Sequence, residues 1–260
     1  VTFGSPPRVV SGWFRSGAVV VRAPAAQNRR MPDGAVIQRM FAEVAPGYDR
    51  ANRVLSCGID VLWRRRTVRT VDVRSGERGL DVCSGTGDLA FALQRAGATV
   101  VGADFCAPML SHACRKAASD PTAPRFLAAD ALALPFPTAA FDFATVAFGI
   151  RNVSDPRAGL REMARVVRPG GRVVVLEFTK PRVPLIGAAY RFYFGKVLPR
   201  LGAWIAGVRN DAYQYLHDSV MAFPEREAFL GLMAEAGLQR PRQRLLTGGI
   251  AAIYRGEVAG

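Results

Sequence analysis

Apolar positions first recur at helical spacing from Ala35. Val36, Ile37, Met40, Phe41 and Val44 form one stripe, which Pro46-Gly47 ends. A second helical stretch, roughly Asp60 to Val73, is studded with Arg64, Arg65, Arg66 and Arg69. Beyond it, short apolar runs alternate with helical patterns. Strands are predicted near 79–83, 99–104, 125–128, 142–148 and 172–178, with helices near 87–96, 107–118 and 156–168. Runs such as Val173-Val174-Val175-Leu176 lack polar alternation, as expected of strands buried on both faces. The expected fold is therefore α/β, a mostly parallel sheet with helices on both faces. A helical, aromatic-rich block follows over about 183–237. Two final strands near 240–246 and 250–255 meet at Thr247-Gly248-Gly249, a tight antiparallel hairpin signal. No internal repeat is visible.

At 260 residues the chain is one large domain, or one domain with an appended piece. Half the residues are hydrophobic and 22% charged, which excludes a wholly disordered chain. No stretch reaches the ~18 apolar residues of a spanning helix. The four cysteines show no C-x-x-C spacing and only two histidines accompany them, so no metal site and reduced thiols are expected. The formal charge is +14, and 32 of the 35 basic residues are arginine, a bias that fits a GC-rich genome better than selection for nucleic acid. Residues 1–30 hold five arginines, no acid and no periodicity. They read as a flexible tail, an Arg-rich transit peptide, or upstream sequence translated from a start placed too early, since Met31-Pro32-Asp33 opens the first patterned segment. The remaining excess of positive charge favours an anionic surface, either RNA or membrane headgroups. The division expected is a basic tail at 1–30 and a single domain at 31–260. That domain would carry an N-terminal helical cap (31–75) and a helical substrate or membrane insert (183–220).

Open α/β sheets bind ligands at the carboxyl ends of their strands. The first strand ends in Leu80-Asp81-Val82-Cys83-Ser84-Gly85-Thr86-Gly87-Asp88. Gly85 and Gly87 let the backbone approach a ligand, and the helix that follows offers its N-terminus. Gly85-x-Gly87-x-x-Ala90 also satisfies a loose dinucleotide fingerprint, so a nicotinamide-dependent enzyme stays open here. Two further acids narrow the choice. Asp104 ends the second strand, where a carboxylate accepts from ribose hydroxyls. Asp130 lies just past the third, where an adenine amine can be received. Acids at three strand ends, Asp81 included, with no basic clamp for a pyrophosphate, suit the cationic S-adenosylmethionine better than NAD.

With these residues in view the chain resembles the class I methyltransferases of menaquinone and ubiquinone biosynthesis, over roughly residues 38–256. The resemblance is carried by Phe41-Ala42-Glu43-Val44-Ala45-Pro46-Gly47-Tyr48-Asp49 with Asn52, and by Phe148-Gly149-Ile150-Arg151-Asn152-Val153. Arg168-Pro169-Gly170-Gly171, Leu176-Glu177-Phe178-Thr179-Lys180-Pro181 and Thr247-Gly248-Gly249-Ile250-Ala251-Ala252 add to it. It implies a Rossmann-like sheet and S-adenosylmethionine as methyl donor. It also implies donor contacts at Thr86, Asp104, Asp130 and Ala131, beside Asp81, Gly85 and Gly87. The reaction implied is C-methylation of a prenylated hydroquinone. Demethylmenaquinol is the favoured substrate, and the 2-polyprenyl-6-methoxy-1,4-benzoquinol step stays open. Ala147 stands where some ubiquinone-branch relatives carry serine, which leans toward the menaquinone branch. Cys83 and Ser84 replace the small residues usual in the glycine loop, and His217 reads as a solvated or capping residue.

Three residues are assigned to the chemistry. Arg151 stabilises a quinol oxygen as its anion, with a salt bridge to a loop acid as the alternative reading. Asn152 orients a water or ring oxygen, with a turn or cap as its alternative, and Tyr48 closes the site from the cap and hydrogen-bonds substrate, with lid packing as its alternative. The block Pro184 to Gly207 holds Leu185, Ile186, Tyr190, Phe192, Tyr193, Phe194, Leu198, Leu201, Trp204 and Ile205 among Arg191, Lys196 and Arg200, the composition of an interfacial helix or prenyl channel. The partners expected are a prenylated quinol, an anionic membrane surface, other quinone-biosynthesis enzymes and a second copy of the chain, with no nucleic acid. The expected location is cytoplasmic at the inner face of the membrane, or the mitochondrial matrix. A methyltransferase of RNA or another small molecule, and a non-catalytic donor-binding scaffold, are the competing readings.

Overall fold

The computed structural model describes residues 34–184 and 211–260, and between them only 187, 190, 192, 193 and 197. Helices α1 (Gly34–Val44), α2 (Tyr48–Leu55) and α3 (Ile59–Val71) precede the sheet, with a 3₁₀ turn at Ala45–Gly47. Then come β1 (Arg78–Val82), α4 (Asp88–Arg95), β2 (Thr99–Asp104), α5 (Ala107–Ala117), β3 (Arg125–Ala128) and β4 (Phe141–Ala147). A 3₁₀ turn at Ile150–Asn152 leads to α6 (Pro156–Val166) and β5 (Val167–Phe178). Helices α7 (Asp211–Ala222) and α8 (Glu227–Glu235) precede β6 (Leu238–Leu246) and β7 (Ala251–Val258).

The seven strands lie in the order β3-β2-β1-β4-β5-β7-β6. The first five are mutually parallel, whereas β7 runs antiparallel between β5 and β6. The unbroken apolar run of β5 follows from its position. Val173 and Val175 join the core on one face with Leu80, Val146, Met163 and Phe229, while Val174 and Leu176 join the other with Val100, Phe143, Leu93 and Trp63. Where an element starts, local chemistry says why. Asp155 caps α6 by accepting from the Ala158 amide at 3.0 Å, with Pro156 in the first turn.

The predicted strands and helices fall within a few residues of those observed, with three differences. Tyr48–Leu55 forms a helix of its own, where the pattern suggested only the end of the first stripe. The reason is that Pro46-Gly47 makes one 3₁₀ turn and hands the chain on, rather than releasing it into a loop. Strand β5 begins at Val167, with a register shift against β4, so the predicted helix end at 168 is strand. The connection of the last hairpin is one residue longer than the predicted Thr247-Gly248-Gly249. Leu246 pairs with Ala251 across four connecting residues, three of them at positive φ: Thr247 at 46°, Gly248 at 65° and Gly249 at 90°. Of the predicted block at 183–237, α7 and α8 are described, and most of 185–210 lies outside the described residues. So do residues 1–33, and with them the predicted tail. No helix among the described residues is long and apolar enough to cross a membrane.

Candidate functional site

A cavity of about 330 Å³ opens at the carboxyl ends of β1 and β4, beneath the cap made by α1 and α2. Its inner end is formed by Asp81, Cys83, Ser84, Gly85 and Thr86, the loop between β1 and α4. Gly87, at φ 84°, ends that loop, and a Cβ there would lie 2.6 Å from the Phe126 ring. Only glycine allows so close a turn against the third strand. The outer end is lined by Trp63, Phe148, Phe178, Tyr190, Tyr193 and Ile250, a largely aromatic wall. Trp63 donates its indole N–H to Thr247 Oγ1 at 2.8 Å and leans on Phe148 and Phe178, so the wall is tied to the hairpin connection.

Two buried carboxylates shape the inner end. Asp81 is 1% exposed and accepts from Thr145 Oγ1 at 2.7 Å. Burial pushes its carboxyl up to about 7, and the charge of Asp104 adds to the shift. Asp104 accepts from the Gly85 amide and the Cys106 amide, each at 2.8 Å, and so fixes the glycine loop from behind. Burial raises its carboxyl as well, against the hydrogen bonds of the Cys106, Gly85 and Phe105 amides. Each of its oxygens keeps a second lone pair, which a ribose hydroxyl can use. Burial, and then the combined field of Asp104, Asp81, Asp130 and Glu177, drives the Cys83 thiol well above its usual range. Cys83 is therefore a packing residue of an electronegative cleft, not a nucleophile.

The cap is tied to this loop by polar contacts. Thr86 Oγ1 donates to Asp49 Oδ1 at 2.5 Å, and Lys116 Nζ bridges Asp49 at 3.0 Å and Asp88 at 2.8 Å. Arg64 pairs with Asp60 and reaches Asp88 at 3.6 Å. Both cations beside the loop are thus paired with protein carboxylates, and Arg64, which also lines the cavity, is held by Asp60 and Asp88 rather than left free as a phosphate clamp would be. Removing Lys116 should loosen α2 without touching the loop itself. Donor dissociation is expected to quicken by up to about fivefold in Lys116→Ala, the scale of half-exposed ion pairs, with kcat little changed. Stopped-flow release of a fluorescent donor analogue measures it, and an unaltered rate would mean that other contacts hold the cap.

Arg151 stands where the two ends meet. It is 5% exposed, and its Nη1 donates to Phe148 O at 2.5 Å and to Glu177 Oε1 at 2.8 Å. Its Nε reaches Ser219 Oγ at 3.4 Å on α7, and the guanidinium lies 5.6 Å from the Phe178 ring. Nη2 makes no protein hydrogen bond among the described residues. The acid that pairs with Arg151 is on β5, not on a loop as the alternative reading had it. Glu177 is 1% exposed, and burial raises its carboxyl although Arg151 opposes the shift. Tyr48 also lines the cavity, and burial raises its phenol, so it is a hydrogen-bond donor rather than a base.

Of the predicted site residues, the cavity brings together Tyr48, Asp81, Gly85, Thr86 and Arg151. Asp104 and Gly87 stand one contact behind, in the loop's support. Asn152 does not line the cavity. Its Oδ1 accepts from Tyr215 Oη at 3.2 Å, and Tyr215 does line it. Asp130 is exposed and accepts from the Leu132 amide at 2.9 Å, the behaviour of a turn residue, and Ala131 packs in the core beside it. Glu177, Asp49, Thr145 and Trp63 were not singled out for this site from the sequence. Asp49 was marked only as part of the family block with Tyr48, and Glu177 carried a signal as a lone acid inside an apolar run.

This strand order, with an acidic cleft and a glycine turn after β1, defines a class I S-adenosylmethionine-dependent methyltransferase. Solved structures share the fold at low identity. A SAM-dependent methyltransferase of Thermotoga maritima superposes with a TM-score of 0.61 at 20% identity, covering 85% of this chain and 99% of that one. A methyltransferase of Haloferax volcanii, solved with the Trm112 activator, gives 0.62 at 16% identity over 85% and 98%. The sequence itself goes further, since residues 27–257 match the ubiE/COQ5 methyltransferase family, and the chain belongs to that family. It is 53% identical to a demethylmenaquinone methyltransferase of Thermus thermophilus over 84% of this chain and 99% of that protein. It is 45% identical to the ubiquinone/menaquinone biosynthesis C-methyltransferase UbiE of Bdellovibrio bacteriovorus over 89% and 99%.

Proposed function

We propose that this enzyme transfers a methyl group from S-adenosylmethionine to a ring carbon of a prenylated hydroquinone, with demethylmenaquinol the substrate. The observation that carries the reading is the junction at Arg151. There an electronegative pocket suited to a cationic donor runs into an aromatic wall suited to a quinol ring and the start of its tail. The residues of the inner end fit the donor. Gly85 and Thr86 offer close backbone approach, and Asp81 and Asp104 offer negative charge, with Arg64 nearby held by Asp60 and Asp88.

Bound S-adenosylmethionine supplies an electrophilic methyl group, and the chain supplies position and charge control. A hydroquinol hydroxyl resembles that of tyrosine, with a pKa of about 10. Donation from Arg151 Nη2 to that oxygen stabilises its anion and raises the nucleophilicity of the adjacent ring carbon. Glu177 and Phe148 O position the guanidinium and hold it in its fork geometry. Tyr48 donates from the cap side and excludes water, while Asn152 acts through Tyr215. Asp130 and Ala131 receive the adenine edge from beyond the cavity's rim. The prenyl tail leaves along Tyr190 and Tyr193, the latter anchored by its hydroxyl to Leu55 O at 2.7 Å. Such a substrate places the enzyme at a membrane, peripherally.

The test is direct. Purified protein is incubated with methyl-labelled donor and, separately, reduced demethylmenaquinone and a demethylated ubiquinol precursor. Label is expected in the naphthoquinol lipid in preference to the benzoquinol. Donor binding with no label in either lipid would overturn the proposal.

A further inference from the structure

One described face outside the cavity lining carries a charge pattern that the methyl-transfer chemistry does not use. Helix α3 lies over the sheet at β5 and β7, and Arg255 of β7 donates to Thr70 O of α3 at 2.8 Å. The β6 register partner of Arg255 is Arg242, and Arg244 pairs with Ile253, which packs in the same core as Trp63 of α3. Arg242 and Arg244 therefore lie on the α3 side of the sheet. Both are exposed, as are Arg66 and Arg69 of α3. None of these four has a carboxylate within ion-pair distance among the described residues, and the acid of this strand pair, Glu257, is engaged by Arg240 and Arg255. Like charges opposed across a strand pair are destabilising. The positive field of Arg242 and Arg172 adds to burial in lowering the Arg255 guanidinium.

The same face reaches the cavity. Leu62, 52% exposed, lies one turn before Arg66 on α3 and next to Trp63, which lines the cavity. Phe192, 65% exposed, adjoins Tyr193 at the aromatic end. Four arginines without a carboxylate partner on one side of the sheet, with Leu62 exposed one turn from Arg66, are complementary to an anionic bilayer, where headgroups take the charge and the acyl boundary takes Leu62. Nucleic acid would want stacking aromatics interleaved with the cations, and on the described surface the arginine cluster has none.

We infer that the face formed by Arg66 and Arg69 of α3 with Arg242 and Arg244 of β6 docks the enzyme on anionic phospholipid headgroups, with Leu62 leading the cavity to the acyl boundary. The inference rests on the proposed lipid substrate for its purpose, but its binding test does not need turnover. Full-length protein is sedimented with phosphatidylcholine vesicles containing 30% phosphatidylglycerol and with phosphatidylcholine alone. Binding to the anionic vesicles is expected, at least tenfold over the neutral ones and weakened by salt. Each arginine replaced by glutamine should lower it about fivefold. The quadruple variant Arg66→Gln, Arg69→Gln, Arg242→Gln, Arg244→Gln should lose more than thirtyfold, yet methylate a short-chain, water-soluble demethylmenaquinol at the normal rate. A variant that binds vesicles like wild type, or wild-type protein that prefers duplex RNA to the anionic vesicles, would overturn the docking face. Vesicle binding that depends on the four arginines in a protein that methylates no quinol would instead sink the proposed substrate and leave the face standing.

Discussion

Arg151→Ala is expected to lower kcat by about 10³-fold, the upper end of what one preorganised donor to a developing oxyanion contributes, while the dissociation constant for S-adenosylmethionine stays within about twofold of wild type. The difficulty is that the same substitution strips Glu177 of its partner. Breaking a buried pair from one side costs about 3–5 kcal/mol, and a protein that has partly unfolded also loses turnover. Burial already favours the protonated form of Glu177, so the variant can lessen the cost by taking up a proton there. The double variant Arg151→Ala, Glu177→Gln separates the two effects, since both charges then leave the interior together. Its melting temperature should recover most of the loss while its turnover stays at the level of the single variant. Glu177→Gln alone keeps the guanidinium held by Phe148 O but less firmly oriented, and a loss of about tenfold in kcat with unchanged donor affinity is expected. Near-normal kcat in the double variant would remove Arg151 from the chemistry.

Much of this architecture was legible because the sheet is buried on both faces. A strand such as β5 cannot alternate polar and apolar residues when Val173 and Val174 enter different cores, and its neighbours in sequence are amphipathic helices. The glycine loop and its two acids were legible for a related reason, since a turn this close to a ligand tolerates few residue types. Helix α2 was not visible. Its sequence, Tyr48 to Leu55, is mostly polar, and only Ala51 and Leu55 are buried, too few positions to declare a period. The contacts that close the cap were hidden for another reason. Thr86 with Asp49, and Trp63 with Thr247, are 37 and 184 residues apart, and nothing local marks either pair. Glu177 shows the limit from the other side. A carboxylate in an apolar strand announces that it has a partner, but only the fold brings β5 and the turn after β4 together and names Arg151.

Donor affinity should rise about tenfold for each pH unit from 5 to 7 and level off above, while the stability of the free protein falls over the same interval. Both trends come from Asp81. Its carboxyl titrates at about 7 in the folded protein because burial, with Asp104 nearby, penalises the charge. In the unfolded chain it titrates in the ordinary carboxylate range, near 4. Below that range both states hold the proton and the stabilising contribution is complete. Between it and about 7 the folded state alone keeps the proton, so stability declines by about 1.4 kcal/mol per unit. Above 7 both states have lost it and the curve flattens. The raised carboxyl of Asp104 acts in the same direction. A cationic donor selects the ionised form, so its binding releases a proton below pH 7 and is weakened by the cost of that release. Asp81→Asn, which can still accept from Thr145, should abolish most of the slope in both measurements. Titration calorimetry at pH 5, 6, 7 and 8 in buffers of differing ionisation enthalpy reads affinity and proton release together. Thermal melts of the free protein over the same range read the stability. A donor affinity that stays flat from pH 5 to 8 in the wild type would mean that Asp81 does not meet the donor's charge, and the electronegative cleft would then owe its effect to Asp104.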